Sequence, residues 1–140
     1  MTGESATARP VFPEREWFEA LAQAVAADSE MKVIGRWCAL DLALVMGEET
    51  VLLRLKGGGI SEIIPEPDVG SSWSVTLRGT VTDWLTFLQP VPPPFYTDLL
   101  AMNSRVPSFS IEGDRRTFVR HLRALTRIFV LAQRMGSGRA

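Results

Sequence analysis

Apolar residues fall at helical spacing near both ends of the chain and at alternate positions between them. Trp17, Phe18, Leu21, Ala24 and Val25 share one helical face, while Glu16, Glu19 and Gln23 point elsewhere, so a helix runs from about Pro13 to Asp28. The period then changes to two. Ile34, Cys38, Leu40, Leu42, Leu44 and Met46 alternate as in a strand interrupted at Arg36. After a turn at Gly47-Glu48-Glu49, Val51, Leu53 and Leu55 form a second apolar face, with Arg54 and Lys56 opposite. Gly57-Gly58-Gly59 turns the chain into a third strand from Ile60 to Pro65, which makes an antiparallel meander. The residues from Pro65 to Gly70 read as a loop. Trp73, Val75 and Leu77 alternate with Ser72, Ser74, Thr76 and Arg78 in a fourth strand with one polar face.

The second half returns to helical spacing. Thr80 with Asp83 resembles a capping box before Val81, Trp84, Leu85 and Leu88. Pro90, Pro92, Pro93 and Pro94 end that helix, and a second short one carries Phe95, Leu99 and Met102 on one side. Val106 to Glu112 is a fifth strand with Phe109 and Ile111 inward; Gly113 turns and Asp114 caps a last helix. That helix places Phe118, Leu122, Leu125, Phe129 and Ala132 opposite Arg116, Arg120, Arg123, Arg127 and Arg134. Val130 and Leu131 break its amphipathic pattern, which points to burial of its end or contact with a second chain as a homodimer. The result is an α+β domain: a five-stranded, mostly antiparallel sheet with helices on one face. It spans residues 13–134, between a disordered lead-in at 1–12 and a flexible tail at 135–140.

Composition narrows the chemistry. The 140 residues suit one domain with a real core. A formal net charge of -1 argues against nucleic acid as partner, since phosphate binding wants a basic surface. The charge is unevenly placed, however: from Arg115 onward there are seven arginines and no acid. The Arg116/Arg120/Arg123/Arg127 face either attracts the acidic body or meets an anionic partner or membrane surface. The single cysteine, Cys38, excludes an internal disulfide or a Cys-based metal cluster, and neither a metal nor a cofactor is expected. No apolar run reaches the roughly 18 residues that span a bilayer. With no signal-like hydrophobic segment near Met1, a cytoplasmic protein is the expectation.

Three strings, in this order and spacing, resemble the sterol carrier protein type two family of non-specific lipid-transfer domains. They are Leu53-Arg54-Leu55-Lys56-Gly57-Gly58-Gly59-Ile60, then Trp73-Ser74-Val75-Thr76-Leu77 with the capped helix to Leu88, then Phe109-Ser110-Ile111-Glu112-Gly113-Asp114. The resemblance runs from about Trp17 to Gln133. It implies an apolar tunnel between sheet and helices that binds a fatty acyl chain, acyl-CoA or sterol without chemistry. The chain departs from the family at the Pro-rich segment Gln89 to Tyr96, which puts the tunnel's size and ligand in doubt. Trp84, Leu85, Leu88, Phe95, Leu99, Met102, Phe109 and Leu122 are the expected pocket residues; the plainer alternative is that they are core. A rival reading is a small α+β cone enzyme acting on a polyketide or steroid, with Asp41 or His121 as base. A further one is an accessory domain presenting its basic helix to a partner enzyme. Otherwise His121 caps the polar edge of the core, and Asp41 needs a cation such as Arg54 or Arg78 if its face is covered. The triple glycine lacks the Gly-Lys-Ser/Thr of a phosphate loop and reads as a hairpin turn.

Overall fold

The computed structural model describes residues 9–68 and 70–139. Five strands form one sheet: β1 (Ala39–Met46), β2 (Glu49–Lys56), β3 (Gly59–Pro65), β4 (Val75–Gly79) and β5 (Ser110–Gly113). Their order is β3-β2-β1-β4-β5, antiparallel except for the parallel β1–β4 pair. Register puts Leu42 opposite Leu53 and Val75, and Leu44 opposite Val51 and Leu77, so one face is continuously apolar. Gly57 and Gly58 both have positive φ, as the tight β2–β3 hairpin requires.

Among the described residues six helices accompany the sheet: α1 (Arg15–Ala27), α2 (Ser29–Ile34), α3 (Val81–Phe87), α4 (Leu99–Arg105), α5 (Arg115–Arg120) and α6 (Leu122–Met135). The apolar stripe of α1 buries Trp17, Phe18, Leu21 and Val25, and the helix packs on β3 and α6. The Thr80–Asp83 capping box is present in both directions at 3.0 Å, and Ser108 Oγ also donates to Asp83 at 2.7 Å. Asp114 caps α5 by accepting from the Thr117 N–H at 3.1 Å.

Several expected boundaries shift, each for a local reason. The strand expected to begin near Ile34 starts at Ala39, because Asp28 accepts from the Met31 N–H and caps a separate helix, α2. Trp73 does not join the Val75–Leu77 face. It precedes β4 and donates from Nε1 to Thr76 Oγ1 on the opposite, outer face. Phe95 lies outside its expected helix, which begins only after Asp98 accepts from the Ala101 N–H. Phe109 is buried but precedes the shorter β5. The last helix is two, broken at His121 between α5 and α6.

The expected lead-in and tail overlap packed structure. Residues 1–8 lie outside the described residues, but Phe12 is buried against Trp17, with ring centroids 4.9 Å apart. The Phe12 N–H donates to Ser137 O, and the Arg139 guanidinium donates to Phe12 O, so residues 9–12 and 136–139 close on each other.

Candidate functional site

The residues expected to line a tunnel mostly meet in the core. Trp84, Leu88, Leu99, Met102 and Phe109 are all buried in one apolar cluster; Leu85 and Leu122 pack against its edge, and Phe95 is 49% exposed. Trp84 sits at the centre. Its ring lies within about 6 Å of Phe12, Phe87, Phe109 and Phe129, and its Nε1 donates to Val45 O at 2.8 Å. Side chains therefore fill the space between these helices and the sheet. A crevice nearby, lined in part by Phe87, Leu99, Phe129 and Gln133, has a volume of only about 10 Å³, barely one water.

The Pro-rich segment closes over this region instead of opening it. The Tyr96 N–H donates to Pro93 O, and the buried Gln133 amide donates to Phe87 O and Thr97 O, tying both ends of the segment to α6. Phe95 has a positive φ, and the Arg105 guanidinium stacks 5.1 Å from its ring centre. It stands half exposed, unlike the buried Leu99 and Met102, its expected helical neighbours.

Open space lies elsewhere, in a groove of about 540 Å³ between α2 and the α5–α6 pair. Ile34, Val119, Leu122 and Val130 supply its apolar lining, and Arg120, Arg123, Arg127, Glu30 and Thr126 its polar one. A second hollow of about 270 Å³ shares Ile34, Arg120 and Arg123 and adds Trp37, Cys38, His121 and Ala124. Only Leu122 of the expected pocket residues lines the larger groove. Arg120, Arg123, Arg127 and Val130 of its wall stand out in the sequence as a basic face and an apolar break, but the opposite wall, Glu30 and Ile34, does not, because Ile34 reads as the start of a strand. The signal for it was Asp28 before Ser29-Glu30-Met31, a helix start, with Gly35 as the stop.

Electrostatics separate Arg127 from the other arginines. It forms a two-pronged pair with Asp28, Nε to Oδ2 at 3.0 Å and Nη2 to Oδ1 at 2.8 Å, and also lies 3.6 Å from Glu30. Arg127 holds the Asp28 carboxyl down at about 2, against the desolvation of the site. The expected basic face thus loses Arg127 to an internal ion pair that fastens α2 to α6. Burial pushes the Cys38 thiol up to about 11, which makes it a poor nucleophile. Desolvation, with a smaller contribution from Arg120, lowers the His121 pKa and favours the neutral ring.

Asp41 and His121 do not converge. Asp41 lies on the outer sheet face, where Arg54 Nε donates to it at 3.2 Å and also reaches Glu62; His121 belongs to the helical layer on the other face. The cation that Asp41 needed is Arg54. A cone-type site using both residues is incompatible with this placement. Among the described residues, no three His, Cys, Asp or Glu side chains gather as metal ligands would, and no helix is long and apolar enough to cross a membrane.

A meander, a parallel crossover strand and an antiparallel closing strand, covered on one side by helices, form a topology shared with solved structures. The crystal structure of sterol carrier protein 2 superposes with a TM-score of 0.67 at 14% identity, covering 84% of this chain and 94% of that one. The fold is that of sterol carrier protein 2. A conserved hypothetical protein of Thermus thermophilus, described as a candidate sterol carrier protein, gives 0.67 at 13% identity with 91% of each chain covered. A UbiJ-SCP2 ubiquinone synthesis protein gives 0.55 at 10% identity, over 81% of this chain and 90% of that one. No family model matches the sequence, and no curated protein matches it. The sterol-carrier fold is thus kept here with few of the same side chains.

Proposed function

We propose that this chain is a non-catalytic carrier or accessory domain that binds an apolar ligand of the fatty acyl, acyl-CoA or sterol class. The fold shared with sterol carrier protein 2 supports the class. The observation that carries the reading is the α2/α5–α6 groove, whose volume of about 540 Å³ lies within the roughly 300–1,000 Å³ of small-molecule sites. Its Ile34, Val119, Leu122 and Val130 lining suits an acyl chain, and Arg120 and Arg123 suit a carboxylate or phosphate at the chain's end.

Magnitudes permit this without special contacts. Burial is worth about 0.8 kcal/mol per methylene, so about ten methylenes match the ~8 kcal/mol of micromolar binding, before the cost of association. A long-chain fatty acid exceeds that number.

Displacement of a fluorescent fatty acid tests the reading, alongside mass spectrometry of an organic extract of the purified protein. The expected result is a bound acyl or sterol species, and at least ten-fold weaker fatty-acid binding by Val130→Asp, which puts a charge into the groove lining. Protein that is empty on extraction and takes up no probe would overturn the proposal.

A further inference from the structure

The surface around the groove mouth combines two features that seldom share a patch. Trp37 is 80% exposed and Val119 is 66% exposed, although most of the chain's large apolar side chains are buried. Between them stand cations. The Arg36 guanidinium lies 5.3 Å from the Trp37 ring centre, and Arg120 and Arg123 line both hollows beside Trp37 and Val119. Among the described residues, no carboxylate comes within 4.0 Å of Arg36, Arg120 or Arg123, whereas Arg54 and Arg127 each have two and Arg78 has one. The one acid in the groove lining, Glu30, lies 3.6 Å from Arg127.

From these positions we infer that this face docks on an anionic phospholipid bilayer, with Trp37 at headgroup depth and Arg36, Arg120 and Arg123 against the phosphates. An indole with its polar edge wet and its body apolar fits the membrane–water boundary. Unpaired guanidiniums interleaved with apolar side chains fit an anionic lipid surface, which takes charge and apolar contact from the same face. The absence of any acid after Arg115 means that neither α5 nor α6 repels such a surface. Docking does not depend on the groove holding a ligand.

Cosedimentation of the full chain with phosphatidylglycerol vesicles, and in parallel with phosphatidylcholine vesicles, tests this. Binding is expected to the former alone, falling with added salt. Arg120→Glu with Arg123→Glu should weaken it at least twenty-five-fold, since each neutralised arginine alone is worth about five-fold. Trp37→Ala should weaken binding while leaving the uptake of a soluble short-chain fatty-acid probe unchanged. Arg15→Glu, a charge reversal on an exposed residue at the distant start of α1, should leave vesicle binding as it was. All four side chains are exposed, so the variants should fold, which thermal melts check. Equal binding to both vesicle types, or binding that survives the double arginine variant, would overturn the inference. So would a dimer in solution that Trp37→Ala converts to monomer without any vesicle binding.

Discussion

Gln133 is a polar residue on the apolar face of α6, four residues after Phe129; it is buried and donates to Phe87 O at 3.1 Å and Thr97 O at 3.2 Å. The Phe87 carbonyl is at the last residue of α3 and Thr97 lies in the link to α4, where a helix end and a proline run offer few other donors. Replacing Gln133 by Leu keeps the volume and removes the donor. The expected loss is about 1–3 kcal/mol, the usual cost of leaving buried acceptors unsatisfied, read as a lower urea midpoint. Trp84 shows the same limit of local reading. Its spacing with Leu85 and Leu88 identified an inward face, but nothing in that spacing distinguishes a tunnel wall from a ring packed among Phe12, Phe87, Phe109 and Phe129. The capping roles of Asp83 and Asp114 were legible, because capping depends on neighbours three residues away, whereas the Ser108 hydrogen bond to Asp83 was not.

At the level of elements, α2 forms one wall of the groove, and Asp28 holds α2 in place. It caps the helix through the Met31 N–H and receives two hydrogen bonds from Arg127 on α6. Since the folded-state pKa lies at about 2, below the ordinary 3.8, the folded state binds this proton less readily than the unfolded one. The stabilisation is therefore complete above about pH 4 and is lost as the pH falls toward 2. Asp28→Asn retains a capping oxygen and loses the charge pair. Chemical denaturation should find the variant less stable than the wild type near neutrality and the difference largely gone near pH 2. The break at His121 is also a matter of element scale: Phe118 and Leu125 both face the core, and helical spacing alone continues through the residue that separates them.

For the whole molecule, the closure of the two ends on each other sets a limit on what can be removed. Phe12 joins the aromatic cluster of Trp17, Phe18 and Trp84, and its backbone bonds to Ser137 and Arg139. Phe12→Ala should cost about 3–5 kcal/mol, as for other buried aromatics, measured by urea denaturation. A residue in a disordered lead-in would show no change. Such a loss is a large part of the roughly 5–15 kcal/mol that typically separates folded from unfolded domains.

The amino-acid sequence by itself determined the α+β class, the five strands, the capped helix starts and the inward faces, because each rests on periodicity or on partners a few residues away. It also marked a segment rich in arginine and free of acid. Tertiary structure alone decided that the sheet and helices close over a filled core, since packing depends on side chains brought together from distant parts of the chain. It also paired Arg127 with Asp28, 99 residues away, and left Arg120 and Arg123 beside an exposed Trp37. Charge order along a helix cannot show which cations a neighbouring element will neutralise. That choice is made by contact, and here it separates the arginine that fastens the fold from those that face outward.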